Sequence, residues 1–489
     1  MTTTLEPGSA APAEAGATSG IATIAEAAAA LRAGTTTSVD LVNQVLAVAD
    51  RLDAATGMFL DRYTESALAA AEAADADLAA GKDLGPLHGI PLGIKDIITT
   101  AEGPTTAQSM IHDRTALAGD AVVVERLRSA GGIVMGKLTT SEFAIGAPDG
   151  WSGMPVPRNP WSLEHSPGGS SAGSGVAVAA GGVLGALGTD TGGSIRIPAA
   201  YCGITGLMPT FGRVPKSGCV PLGFSLDHIG PMARSAKDCA LMLDVMAGYD
   251  ASDLCAIDVP ADDYSGALTG DLTGVRIGVD RLARFGGDAE DPALPGAFDA
   301  AVAALAQRGA EIVEIELPFY DEMSTADWVI MLSEALSYHR PDLQSRWLDY
   351  GSATRRMLKQ GALYSAMDYV QAQRARTVGV QALNAVYETV DLIVTPTAAA
   401  GAPAIDALYR MAAAPGKGLF SSIYTGYWDT TGNPVLSLPI GLTAEGLPLG
   451  LQIAGRPFEE ALVLRAGDAY QQVSDWHLQV PTTSVAVVA

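Results

Sequence analysis

Residues 166–198, SPGGSSAGSGVAVAAGGVLGALGTDTGGSIRIP, constrain this chain more than any other segment. Two glycine-flanked serines, Ser170 and Ser194, stand at the ends of an apolar stretch rich in glycine and alanine. Glycine takes positive φ and lets a second backbone or a ligand come close, so both serines can sit on tight, accessible turns. The pattern between them predicts a helix at 176–182 running into a buried strand at 183–188. Upstream, Lys95 is the only basic residue in the apolar run Gly89-Ile-Pro-Leu-Gly-Ile-Lys95-Asp96-Ile-Ile98. An ordinary lysine, with a pKa of about 10.4, is protonated at neutral pH, and lowering it to ~7 takes roughly 4–5 kcal/mol, which burial can supply. Two serines and a neutral lysine can carry out acyl transfer without histidine. The competing structural reading pairs Lys95 with Asp96 or another carboxylate.

The 489 residues are enough for a large core, and 48% of them are hydrophobic, which excludes a disordered chain. A net charge of −24 argues against DNA or RNA as the main partner, because phosphate binding needs a basic surface. The longest apolar run, 176–187, is too short and too glycine-rich to span a membrane. Cys202, Cys219, Cys239 and Cys255 form no C-x-x-C pair and read as reduced thiols of a cytoplasmic protein. Residues 1–20 carry Glu6 and Glu14 but no lysine or arginine, the wrong charge for a secretory or transit peptide, and read as a disordered tail.

Residues 21–80 show helical spacing, with Thr37 or Ser38 as the N-cap of a second helix. Strands then alternate with helices: strands at 91–98, 132–136, 183–188, 275–279, 311–317, 391–394 and 435–439, and helices at 121–130, 176–182 and 295–307. This alternation predicts an α/β fold around a large, mixed, mostly parallel sheet flanked by helices. With no repeat or clean break, one domain is expected over 21–489. A helical cap-like insertion is expected at about 318–387, on the helical, arginine- and aromatic-rich character of 328–376.

Amide hydrolysis by a serine needs a base, donors for the developing oxyanion and a proton for the leaving nitrogen. Asp190-Thr-Gly-Gly-Ser-Ile-Arg196 supplies consecutive backbone N–H groups at Thr191, Gly192, Gly193 and Ser194 that can form an anion nest. Pro198 suits the first turn of a short helix behind them.

This combination resembles the amidase signature family, with its Ser–cis-Ser–Lys triad. The lysine motif is matched by Gly89-Ile-Pro-Leu-Gly-Ile-Lys95-Asp96, the bridging-serine motif by Gly168-Gly169-Ser170-Ser171, and the nucleophile motif by Asp190-Thr-Gly-Gly-Ser194-Ile-Arg. Flanking pieces agree, among them Gly136-Lys-Leu-Thr-Thr-Ser-Glu-Phe143, Asn159-Pro-Trp161 and Ser225-Leu-Asp-His-Ile-Gly230. The resemblance covers residues 21–472 and implies the family's fold. It makes Ser194 the nucleophile, Ser170 the proton relay across a cis Gly169–Ser170 peptide, and Lys95 the base. Ser171, Asp190 and Arg196 become supporting residues, and no metal or organic cofactor is implied.

Ile145 and Gly146 fall where the family lines its acyl pocket, and Tyr424, Tyr427 and Trp428 read as an aromatic wall. Such a lining favours a free-standing monomer or homodimer that hydrolyses small neutral amides, apolar or aryl, with esterase and urethanase (carbamate-cleaving) side activity. Two alternatives stand beside it. One is the A subunit of a tRNA-dependent glutamine amidotransferase, which works with partner chains. Against it, the glutamine-binding aspartate of that group is replaced by the stretch Ser421-Ser-Ile-Tyr424, and its tyrosine-rich helix is thinned to Tyr364-Ser-Ala-Met-Asp-Tyr369. The other is an α/β-hydrolase, in which Gly169-Ser170-Ser171-Ala172-Gly173 is a nucleophile elbow centred on Ser171 and served by His228, His339 or His477.

Overall fold

Small side chains decide how closely the layers of this protein approach. The helix Ala172–Ala180 is buried on every side, as expected for a helix apolar all round. It lies against β4 (Gly185–Asp190), whose alternating small residues leave room for it. A Cβ on Gly188 would stand 2.6 Å from Met232 Sδ and 3.0 Å from Ser171 Oγ. The computed structural model describes residues 23–111, 119–146, 150, 152–408 and 422–481. The tail expected at 1–20 lies outside them.

Eleven strands form one sheet. They are β1 (Phe59–Arg62), β2 (Pro91–Lys95), β3 (Ile133–Leu138), β4, β5 (Thr205–Met208), β6 (His228–Ala233), β7 (Arg276–Val279), β8 (Glu311–Glu314), β9 (Leu392–Pro396), β10 (Val435–Leu442) and β11 (Pro448–Gly455). Their order is β1-β3-β2-β4-β6-β5-β10-β11-β9-β7-β8. Parallel pairing is confined to β3-β2-β4 and β9-β7-β8. The centre, β4-β6-β5-β10-β11-β9, is antiparallel throughout, as is the β1 edge. The sheet is therefore mixed, and the expectation that it is mostly parallel is corrected. The strands that make the centre antiparallel include β5 (TGLM) and β6 (HIGPMA), short segments whose glycine and proline weaken the strand signal.

Helices cover the sheet. Thr37 caps the helix Ser38–Thr56 through a reciprocal box with Asp40, so two otherwise unpaired N–H groups are satisfied. The region of the expected cap-like insertion holds the helices Tyr320–Leu343, Ser352–Gly361 and Ala366–Tyr387. Ala326, Ile330, Met331, Leu332, Leu358 and Ala372 from these helices pack into the main hydrophobic core.

Gly230 lies on β6 opposite Gly188, at the centre of the sheet beneath the Ser194 turn. A Cβ there would stand 2.0 Å from the carbonyl oxygen of Leu207 on β5 and 3.0 Å from Ile195 Cδ1. Backbone on the adjacent strand cannot retreat without breaking the ladder. Gly230→Ala is expected to cost about 3 kcal/mol, the upper part of the overpacking range, read as a lowered urea midpoint.

Candidate active site

Parallel pairing of β2 with β4 places Lys95, at the end of β2, beside Thr189 near the end of β4. The turn before the Ala172–Ala180 helix brings two serines to the same point. Lys95 Nζ lies 2.7 Å from Ser170 Oγ, 2.9 Å from Ser171 Oγ and 2.7 Å from Thr189 Oγ1. The lysine is wholly buried.

Asp96 does not pair with this lysine. Its carboxylate forms a buried ion pair with Lys137 at 3.2 Å and accepts hydrogen bonds from Thr106 Oγ1 at 2.6 Å and from the Thr106 and Gln108 amides. Lys137 comes from β3 and also donates to Ile98 O and Thr105 Oγ1, both at 2.6 Å. Lys95 is left among hydroxyls, and burial brings its pKa down to about 7, outweighing the opposing influence of Cys219, Asp190 and Asp227. The competing pairing of Lys95 with Asp96 is thereby ruled out.

The Ser170 turn is held by its backbone. Ser170 O accepts from Thr140 Oγ1 at 2.9 Å and from the Ser141 amide at 3.2 Å, and the Gly169–Ser170 peptide is cis. Gly168 has φ +80°, and a Cβ there would lie 2.9 Å from the backbone of Pro198, so glycine is required where the two serine turns meet. Ser171 N donates to Ser194 O at 3.2 Å, a direct link between the turns. Ser170 is buried, whereas Ser194 is partly exposed. Among the described residues the hydroxyl of Ser194 has no hydrogen bond to Ser170.

Asp190 organises the Ser194 turn. Its carboxylate accepts from the amides of Gly193 at 2.5 Å, Ile195 at 3.1 Å and Arg196 at 3.3 Å, and from Arg196 Nε at 3.0 Å. Burial pushes this carboxyl up, but the Arg196 charge outweighs it and holds the group below the usual carboxylate range. Arg196 in turn donates to Asp429, Gln452 and the carbonyl of Thr425. Gly193 is thus removed from the expected set of oxyanion donors, because its N–H already points into the loop. The N–H groups of Thr191, Gly192 and Ser194 have no partner among the described residues.

The expected pocket wall is also revised. Trp428 has no exposed surface and Tyr424 almost none. Both belong to a packed cluster with Tyr320, Met323 and Tyr427 and do not line an open pocket. Ile145 is buried in the main core, and Gly146 faces the Ser352–Gly361 helix, where Ala353 Cβ and Met357 Sδ would each stand 3.3 Å from an added Cβ. The elbow centred on Ser171 is excluded by geometry. Its side chain is fully buried, its hydroxyl donates to Thr189 O at 3.2 Å, and its partners are Lys95 and Thr189. His228 is bonded to the Asp190 carbonyl and driven down to about 3 by burial, and His339 pairs with Tyr350. Thr189, Lys137, Asp429 and Gln452 were not singled out in the sequence. Lys137 stands inside the flanking motif Gly136-Lys-Leu-Thr-Thr-Ser-Glu-Phe143, the one signal that could have revealed it.

The amidase family profile matches residues 40–464. The chain belongs to the amidase signature family. It is an amidase-family enzyme that acts on C–N bonds. The A subunit of the glutamyl-tRNA(Gln) amidotransferase of Roseiflexus sp. (strain RS-1) is 41% identical over 486 residues, covering 95% of this chain and 98% of the relative. Other curated relatives at 38–41% identity carry the same name. Among solved structures, a chain described in connection with a vestigial protein complex and the origins of an s-triazine catabolic enzyme superposes with a TM-score of 0.83 at 32% identity, over 93% of this chain and 99% of that one. Native peptide amidase from Stenotrophomonas maltophilia superposes with a TM-score of 0.79 at 30% identity, over 92% and 96%. The full-length likeness to these amidotransferase chains overturns the expectation of a free-standing hydrolase of apolar or aryl amides.

The lysine's environment has a measurable consequence. The folded state disfavours the proton on Lys95 below the unfolded value of 10.5, so the unfolded chain binds more protons between pH 7 and 10.5 and stability rises with pH there. Relative to Lys95→Met, the wild type is expected to gain ~2.5 kcal/mol between pH 6 and pH 9, read from denaturant midpoints. A difference independent of pH would show that the amine is charged in the folded protein.

Proposed function

We propose that this chain is the A subunit of a tRNA-dependent glutamine amidotransferase, hydrolysing the side-chain amide of glutamine and releasing ammonia for use by a partner chain. The observation that carries this reading is the 41% identity to the A subunit of a glutamyl-tRNA(Gln) amidotransferase across almost the whole of both chains. The net charge of −24 is consistent with it, since so acidic a protein leaves contact with the tRNA phosphates to another chain.

In the proposed mechanism, the hydroxyl of Ser194 attacks the amide carbonyl and passes its proton to Ser170, whose own proton moves to Lys95 Nζ. A neutral amine has two N–H donors and one lone pair for its three hydroxyl neighbours. Ser171 already donates to Thr189 O, so it receives from the lysine; one N–H and the lone pair then remain for Thr189 Oγ1 and Ser170, and the relay uses the arrangement in which Thr189 receives and Ser170 donates. The oxyanion is met by the free N–H groups of Thr191, Gly192 and Ser194. Collapse expels the nitrogen, which takes the proton back from Lys95 through Ser170 and leaves as ammonia. Water then hydrolyses the acyl-enzyme along the same relay and releases glutamate.

The test uses the full chain co-purified with its partner chains. Ser194→Ala is expected to abolish glutamine hydrolysis and glutamine-dependent amidation of the charged tRNA, while amidation fed with ammonium salts continues. Lys95→Ala is expected to lower kcat by at least ~10³-fold and to remove an acidic limb near pH 7 from the wild-type profile. Failure of the wild-type assembly to amidate tRNA with glutamine would overturn the reading.

A further inference from the structure

A buried acid beside the Ser194 turn takes no part in the mechanism above. Asp327 lies on the Tyr320–Leu343 helix and is 4% exposed. Its carboxyl sits between two glycines. Its Oδ2 would stand 3.2 Å from a Cβ on Gly192, within the nucleophile turn, and 3.1 Å from a Cβ on Gly426. Thr425, the neighbour of Gly426, donates to Gly192 O at 2.7 Å, so these segments form one wall against the turn. Met331, one helical turn after Asp327, faces Gly192 as well.

Among the described residues this carboxyl has no hydrogen bond or ion pair, and Arg196 and Arg376 act on it only through their charge. Oδ1 is buried without a hydrogen bond, and Oδ2 accepts none from them. The nearby cations are engaged elsewhere, Arg196 by Asp190 and Asp429 and Arg376 by the carbonyl of Ser225. Three buried acids thus surround one guanidinium, and Asp327 is the one left over. Burial pushes its pKa well above the usual carboxylate range against the charges of Arg196 and Arg376, and a cation brought to this carboxyl would favour its ionised form.

We infer that Asp327 is a substrate-binding residue that receives a cationic nitrogen on the acyl part of the substrate and so selects an amino-acid amide over the same amide without its ammonium group. With the glutamine reading above, on which this assignment rests, the group received is the α-ammonium of glutamine. A site built to pair a charged group rejects an analogue lacking it, because the buried carboxyl is then left unpaired.

The experiment compares L-glutamine with 4-carbamoylbutanoate, which is glutamine without its amino group, as substrates of the full chain with its partner chains. Wild type is expected to prefer glutamine. Asp327→Asn is expected to reduce that preference by about 10- to 100-fold, mainly through KM for glutamine, with Asp327→Glu restoring part of it. An unchanged preference in Asp327→Asn overturns the assignment. The wild type supplies a second arm that needs no variant. L-norvaline is expected to inhibit at lower concentration than pentanoate, and equal inhibition by the two also overturns the assignment. Should wild type hydrolyse neither amide, the glutamine reading falls, and the pair glycine p-nitroanilide and acetyl p-nitroanilide decides on Asp327. A preference for the amine-bearing anilide that Asp327→Asn abolishes supports the assignment, and any other result overturns it.

Discussion

An amine enclosed by hydroxyls, with its counter-ion taken by another residue, is the condition on which the rest of this protein depends. Lys95 and Asp96 are neighbours in the chain, and in water they would attract one another. The fold separates them by assigning Asp96 to Lys137 on the adjoining strand and surrounding it with Thr106 and Gln108. Lys95 then meets only Ser170, Ser171 and Thr189, and burial carries it to about 7. A buried carboxylate beside it would keep it charged and useless as a base. The second lysine is therefore as necessary to the proposed chemistry as the first, although it lies outside the triad.

The nucleophile turn is secured by a different kind of interaction. Asp190 collects three backbone amides of the turn and the side chain of Arg196, and Arg196 reaches on to Asp429, Gln452 and the carbonyl of Thr425. Gln452 lies on β11, across the antiparallel centre of the sheet from β4. The position of Ser194 is thus fixed from two distant parts of the chain at once. Residues whose rotamers are locked by such packing can hold a reacting group far more closely than a loop alone. The use of the Gly193 amide within this network explains why one of the expected oxyanion donors is already occupied.

The chemistry was legible in the sequence because it lies in short, glycine-punctuated motifs whose local conformation is nearly dictated by composition. The wall of the site was not, since its residues come from separate helices and their exposure depends on tertiary packing. Tyr424 and Trp428 looked like pocket aromatics by position, yet a large apolar side chain gains most from full burial, and the fold provides it. Asp327 gave no sequence signal at all, as a single acid in a helix ordinarily faces water. In the sheet, seven of the eleven strands were found, while β1, β5, β6 and β11 were missed; the glycines of β5 and β6 serve close contacts, not strand propensity.

The misjudged function follows from the same division. The proposed relay of one lysine, two serines and backbone donors serves equally whether the acyl group is a peptide, an apolar acid or glutamine, so the motifs point to the reaction and leave the substrate open. A peptide amidase and an amidotransferase A subunit are both similar to this chain in fold. The acyl group is left to be read by the few side chains that border the nucleophile turn from outside the sheet. Here that border is the Tyr320–Leu343 helix and the loop at Thr425, and it places an unpaired acid where a substrate's charge can decide entry. Identity spread over the whole chain then outweighs a departure such as Ser421-Ser-Ile-Tyr424, because a binding charge lost from one element can be supplied by another without disturbing the machinery beneath it.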